Sequence, residues 1–190
     1  MRLDNYLLEG DSSDIIKRKC RILLGIYKDI GKYFYRGTRN PERFKLIVPR
    51  QDRKPMNTPL VVHEFLDELF FDRFGWKPRS SGVFVSPDKR EAKAYGPITK
   101  HSVVFLATDP FKALWSPKVQ DLFVFLHGNG IIRDEKLLTD YQKKRISETV
   151  DTYIEWNLDV ALNGEKNEVM FKCNGYYLIN EEDMEKLLDF

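Results

Sequence analysis

The chain has 190 residues, 42% of them hydrophobic, which is enough to bury one sizeable core and favours one domain over two. Its 31 Lys+Arg nearly balance 29 Asp+Glu, so bulk electrostatics points to neither nucleic acid nor an anionic membrane. Cys20 and Cys173 lie far apart without a CxxC, and no apolar run approaches the ~18 residues of a membrane span, so the expectation is a soluble intracellular protein without zinc or a disulfide framework.

Residues 1–10 read as a short amphipathic leader, followed by N-cap candidates in Asp11-Ser12-Ser13-Asp14. Ile16, Cys20, Leu23, Tyr27 and Ile30 then repeat at steps of four and three, which predicts one amphipathic helix ending near Gly31. The aromatic run Tyr33-Phe34-Tyr35 suits a strand that stops at the turn-rich Arg36-Gly37-Thr38-Arg39-Asn40-Pro41. A second short strand is predicted over Phe44 to Val48, and a loop over Pro49 to Pro59. Thr58-Pro59 looks like the start of a helix whose Val62, Phe65, Leu66, Leu69 and Phe70 face inward, with Gly75 near its end.

Gly82 to Ser86 predicts a strand, and Ser86-Pro87 the start of a helix carrying Ala92, Ala94 and Tyr95 before Gly96-Pro97. A further strand is predicted over about Ser102 to Ala107. Asp109-Pro110 and Ser116-Pro117 resemble two more cap-and-proline starts, for helices finishing near Trp115 and near His127-Gly128. Thr139 with Gln142 makes a capping box for a helix through Ile146, Val150 and Tyr153. Asn174-Gly175, between Glu168–Cys173 and Tyr176–Ile179, predicts a β-hairpin, and a short polar helix closes the chain. Strands interspersed with helices and an antiparallel pair give an α+β class. The basic runs Lys17-Arg18-Lys19 and Lys143-Lys144-Arg145 fall on predicted helices, where a charge run is usually a solvated face.

Three segments share one design, a strand that ends by presenting a polar residue at a tight turn or helix start: YFYRGT, GVFVSPDKREAKAYG and NEVMFKCNGYYLIN. In this order they resemble the three motifs of the ADP-ribosyltransferase superfamily, in its arginine-serine-glutamate branch, and are similar to the small tailed-phage mono-ADP-ribosyltransferases. The first motif is matched by Arg36 with Gly37, the second by Phe84, Ser86, Ala92, Ala94, Tyr95 and Gly96, and the third by Glu168-Val169. The resemblance spans Tyr33 to Asn180 and implies a single catalytic domain over residues 11–190, with two packed, mostly antiparallel sheets and flanking helices. It also implies NAD as substrate, Arg36, Ser86 and Glu168 as the catalytic set, and a cofactor-binding surface that adds Gly37, Thr38, Phe84 and Tyr95.

The chemistry accounts for these residue types. Breaking the bond from nicotinamide to ribose builds positive charge on the sugar, so a nearby carboxylate, here Glu168, stabilises the transition state. The pyrophosphate of NAD is anionic, and the arginine fork of Arg36 suits it better than a lysine. Ser86 would hydrogen-bond in the nicotinamide and ribose region, and Gly37 lets backbone approach the nicotinamide amide. Tyr95, with Phe84 as second choice, would offer the ring an aromatic face. Taken singly, each residue has a plainer explanation: helix cap for Ser86, surface arginine for Arg36, solvated strand start for Glu168, core packing for Tyr95.

The chain departs from the pattern two residues before Glu168. Members that modify arginine carry Glu or Gln there, whereas Lys166 stands here with Glu165 one place further, so arginine is not the expected acceptor. The loop from Ala161 to Asn167 corresponds to the family's target-recognising loop. Other candidates are weaker: His63-Glu64 begins like a zinc-protease motif, but position 67 is Asp rather than the second histidine, and no metal is expected. Leu7-Leu8-Glu9 before Gly10 resembles the cleavage site of prohead proteases of large tailed phages, which package some ADP-ribosyltransferases in the head.

The expected function is therefore mono-ADP-ribosyl transfer to a host macromolecule, protein ahead of nucleic acid, by a monomer working in the host cytoplasm after packaging in a virion, with no membrane partner. An NAD glycohydrolase would use the same residues. A non-enzymatic internal capsid or DNA-associated protein, binding through its basic helices, is the alternative of another class.

Overall fold

In the computed structural model, which describes residues 12–39, 44–55, 57–94, 101–133, 136–164 and 167–188, the N-terminal amphipathic stretch bends at Cys20 into helices over residues 12–19 (α1) and Arg21–Ile30 (α2). Ile16, Cys20, Leu23 and Tyr27 remain one buried stripe across the bend. Gly31 ends the helix as predicted: its φ is 69°, a conformation that suits glycine, and its amide donates to the Tyr27 carbonyl. The Tyr27 hydroxyl in turn donates to the Phe105 carbonyl at 2.7 Å, which ties α2 to the sheet behind it.

Two antiparallel sheets form the centre. The first has the order β1 (Tyr35–Thr38), β3 (His101–Ala107), β7 (Tyr176–Ile179). The second has the order β2 (Val83–Val85), β6 (Val169–Cys173), β4 (Phe111–Trp115), β5 (Ile154–Glu155). Around them lie α3 (Leu60–Phe74), α4 (Pro78–Ser81), α5 (Lys89–Ala94), α6 (Leu122–Gly128), α7 (Asp140–Val150), α8 (Leu158–Asn163) and α9 (Glu181–Leu188). The class is α+β, as expected.

The period of two along the second sheet builds two cores. Val83, Val85, Val169, Phe171, Ala113 and Trp115 face the first sheet, while Phe84, Met170 and Leu114 face a layer of α3, α6 and α7. Phe171 centres the inter-sheet core, its ring centroid 5.6 Å from Phe34, 5.0 Å from Phe105 and 5.3 Å from Phe111. Because both faces are largely buried, these strands read as mainly apolar runs, β4 and β6 each interrupted by one exposed lysine, Lys112 and Lys172.

That double burial explains one correction. Residues 111–115, predicted as a helix after Asp109-Pro110, form β4 instead, paired with β6 from Phe111↔Cys173 to Trp115↔Val169. A short, mostly apolar segment such as residues 111–115 cannot be told from a buried helix by periodicity. The helix expected from Ser116-Pro117 starts later, at Asp121, whose Oδ1 accepts the Val124 amide at 2.8 Å. Ser116 Oγ caps a local turn, accepting the amides of Lys118 and Val119.

A second correction concerns Asn174-Gly175. β6 and β7 do not pair; they belong to different sheets, and the chain crosses from one to the other here. A two-residue type I′ hairpin needs positive φ at both central residues, and neither Asn174 nor Gly175 has it. A Cβ on Gly175 would meet Leu46 Cδ1 at 2.7 Å, a contact that the exposed Leu46 side chain would have to move to relieve. The strand predicted over Phe44 to Val48 shrinks to the single bridge Ile47↔Tyr176. β5 and α8 were not anticipated, and Ala161 to Asn163, predicted as loop, are the end of α8. The capping box at Thr139 and Gln142 is present. Lys143, Lys144 and Arg145 lie exposed on α7. The leader over residues 1–10 lies outside the described residues, as do Tyr95, Glu165 and Lys166.

Candidate active site

The two sheets meet at one point beside a cleft. Tyr35, the first residue of β1, bridges to Ser86 just beyond β2: the Tyr35 amide donates to the Ser86 carbonyl at 2.7 Å and the Ser86 amide returns a bond at 3.0 Å. Arg36 is thereby set next to the bridge. In the β2–β6 ladder Val83 pairs with Phe171 and Val85 with Val169. That ladder ends at Val85↔Val169, one residue short of Ser86 on one strand and of Glu168 on the other. Two strand pairings thus gather three residues separated by up to 132 positions in the sequence.

The cleft encloses about 550 Å³, within the ~300–1,000 Å³ usual for small-molecule sites. Among its described lining residues are four cations, Arg36, Arg53, Lys54 and Arg79, against two carboxylates, Asp121 and Glu168. Arg36 Nη1 donates to the Phe84 carbonyl at 2.7 Å, and its guanidinium lies 5.8 Å from the Tyr176 ring centroid. The guanidinium of Arg53 lies 4.4 Å and that of Arg79 5.1 Å from the centroid of the Phe84 ring. Phe84 is therefore a platform for cations. Desolvation, then the charges of Arg36 and Arg79, lower Arg53 to about 10, so it stays cationic at neutral pH. Three guanidiniums close enough to repel one another favour an anion between them.

Glu168 is 6% exposed on the floor of this cleft. Its amide donates to the Gln120 carbonyl at 2.6 Å, which fixes the backbone before β6 begins. Its Oε1 stands 3.6 Å from Arg79 Nη1, too long for a hydrogen bond, and both Oε1 and Arg79 Nε are buried without hydrogen-bond partners. Desolvation pushes the carboxyl up from 4.5 to about 7; Arg79 and Arg53 hold it down and Asp121 adds to the rise. A buried carboxylate with an unused oxygen is primed for a cationic partner.

Ser86 lies differently. It is fully buried and does not line the cleft, and its Oγ accepts the Asp88 amide at 3.1 Å. The cap of α5 is Asp88, whose Oδ1 accepts the amides of Arg90 and Glu91. Ser86 thus positions the turn that follows the sheet junction. Gly37 lines the cleft, and Thr38 pairs with His101 further along β1.

Arg53, Arg79, Asp121 and His63 were not anticipated as site residues. Arg79 and Asp121 come from the turns that open α4 and α6, Arg53 from the loop before α3, and His63 from the buried face of α3. Arg53, Arg79 and Asp121 carry no local signal, since Arg79 reads as a residue after proline and Asp121 as a helix cap, and His63-Glu64 pointed only to a metal motif that Asp67 breaks. Among the described residues no group of three or more His, Cys, Asp or Glu could hold a metal, and no helix is long and apolar enough to cross a membrane. No protein-family model, curated protein or solved structure matches the chain.

Proposed function

We propose that the chain is a mono-ADP-ribosyltransferase that cleaves NAD at the nicotinamide–ribose bond and passes ADP-ribose to a macromolecular acceptor. The observation that supports this reading is that Arg36 and Glu168 line one cleft, with Ser86 buried beside it at the Tyr35–Ser86 bridge that follows β2. The ADP-ribosyltransferase-like fold, the phage origin and action in a host cytoplasm belong to the same proposal.

In this reading the pyrophosphate of NAD lies among Arg36, Arg53 and Arg79, whose combined charge offsets its own. The ribose then sits over Glu168. As the C1′–N bond breaks, its electron pair leaves on nicotinamide, which departs neutral, and positive charge grows on the sugar beside the carboxylate. A cation brought to a carboxyl near pH 7 favours its ionised form, so substrate promotes the charge state that the step needs. Ser86 acts beneath the site, holding the junction from which Arg36 and Phe84 reach the cleft.

The test uses purified protein, labelled NAD and a bacterial cell lysate, beside a Glu168→Ala variant. Label on macromolecules that falls by about 10²–10³-fold or more in the variant supports transfer. Free ADP-ribose alone would make the chain a glycohydrolase, and equal signals from both proteins would overturn the site.

A further inference from the structure

α3 brings a second acid–base group into the wall of the same cleft. His63 and Asp67, four residues apart and so on one helix face, are 5% and 2% exposed. The turn that carries Arg79 grips Asp67. The Arg79 amide donates to Asp67 Oδ1 at 2.8 Å, and the Ser80 hydroxyl donates to Oδ2 in a very short bond. With its proton committed to Asp67, Ser80 Oγ meets the imidazole as an acceptor. Nε2 of His63, 3.2 Å away, is therefore the protonated nitrogen. Nδ1 keeps its lone pair and is buried without a hydrogen-bond partner, on a ring that lines the cleft.

We propose that His63 Nδ1 is the base that takes the proton of the acceptor, and that the acceptor nucleophile is a hydroxyl rather than a carboxylate. This rests on the NAD-cleaving reading above. A carboxylate acceptor arrives ionised and needs no base, whereas a hydroxyl keeps its proton at neutral pH until it bonds to the sugar. Glu168 is not free for that task, since its negative charge is needed opposite the sugar. The step balances: the acceptor oxygen bonds to C1′, the C1′–N bond gives its electrons to nicotinamide, and the acceptor proton passes to Nδ1 and then to water. Desolvation, the leading cause, holds the imidazole below its ordinary value, in the neutral form that a base requires; of the four charged groups that act on it, Asp67 and Glu64 favour its protonation and Arg79 and Arg53 disfavour it.

The experiment compares the unaltered chain with His63→Gln and His63→Gly, measuring NAD binding, nicotinamide release and label transferred from NAD in a bacterial cell lysate. The proposal expects His63→Gln to bind NAD within about threefold of the unaltered chain while transfer slows by about 10²–10⁴-fold. It expects His63→Gly to be similarly slow and to regain transfer when imidazole is added. Label placed by the unaltered chain should survive neutral hydroxylamine, because a glycosidic bond to a hydroxyl has no acyl carbon to attack. Release of that label by hydroxylamine overturns the proposal whether or not the variants fold. So does transfer by His63→Gln at the unaltered rate, or a slow His63→Gly that imidazole does not restore. An unaltered chain that releases no nicotinamide removes the NAD reading as well; normal release with unchanged transfer in His63→Gln removes this inference alone.

Discussion

Replacing Glu168 by glutamine should make the protein more stable, and increasingly so as pH rises. The carboxyl titrates at about 7 in the folded protein against an ordinary 4.5, with desolvation as the leading cause. Between those values the folded state holds a proton that the unfolded state has released, so stability falls as pH increases through the window and stays lower above it. The loss attributable to this group grows from about 1 kcal/mol at pH 5 to about 3 kcal/mol at pH 8. The pull of Arg79 and Arg53 is already contained in the value of about 7, so the uncharged amide is relieved of the net penalty alone. For a chain of this size each kcal/mol moves the melting temperature by about 2–4 °C. Thermal melts of both proteins at pH 5 and pH 8 should therefore show a Glu168→Gln advantage that widens by roughly 5 °C or more. An advantage of equal size at both pH values, or a variant less stable at pH 8, would refute the account of a carboxylate ionised against its environment.

The remaining expectations concern turnover and binding. NAD cleavage by the unaltered chain should rise with pH and level off above about 7, and Arg79→Met, by removing the chief group that lowers the Glu168 pKa, should move that inflection upward. A pH profile that Arg79→Met leaves in place would dissociate the two residues. Arg36→Lys should raise KM for NAD by about tenfold or more, since it loses a fork of donors and the bond to the Phe84 carbonyl; steady-state kinetics with unchanged KM would remove Arg36 from the binding surface. Ser86→Ala leaves the Asp88 amide without its acceptor and should cost about 1 kcal/mol in urea unfolding. A neutral effect would mean that the junction does not depend on that bond.

Much of this site was legible because its motif residues sit where local pattern changes. Ser86 and Glu168 stand just outside β2 and β6, marked by a switch between apolar runs and Ser-Pro or Asn-Glu, whereas the strand expected to stop at Arg36 runs on through Gly37-Thr38, with Arg36 as the second residue of β1. Helix ends were legible for the same reason, in the glycine stop at Gly31 and the Thr139–Gln142 box, because capping is chemistry between residues a few positions apart.

What only the tertiary structure decided depends on partners distant in sequence. Phe111 to Trp115 are a strand because β5 and β6 flank them, and Asn174-Gly175 crosses between sheets because β7 finds β3 instead of β6. Arg53, Arg79, Asp121 and His63 reach one cleft from four segments, and their place in it follows from how helices α3, α4 and α6 pack on the second sheet. The raised carboxyl of Glu168 has the same origin. The sequence marked where an acid stands; burial among distant side chains set when it ionises.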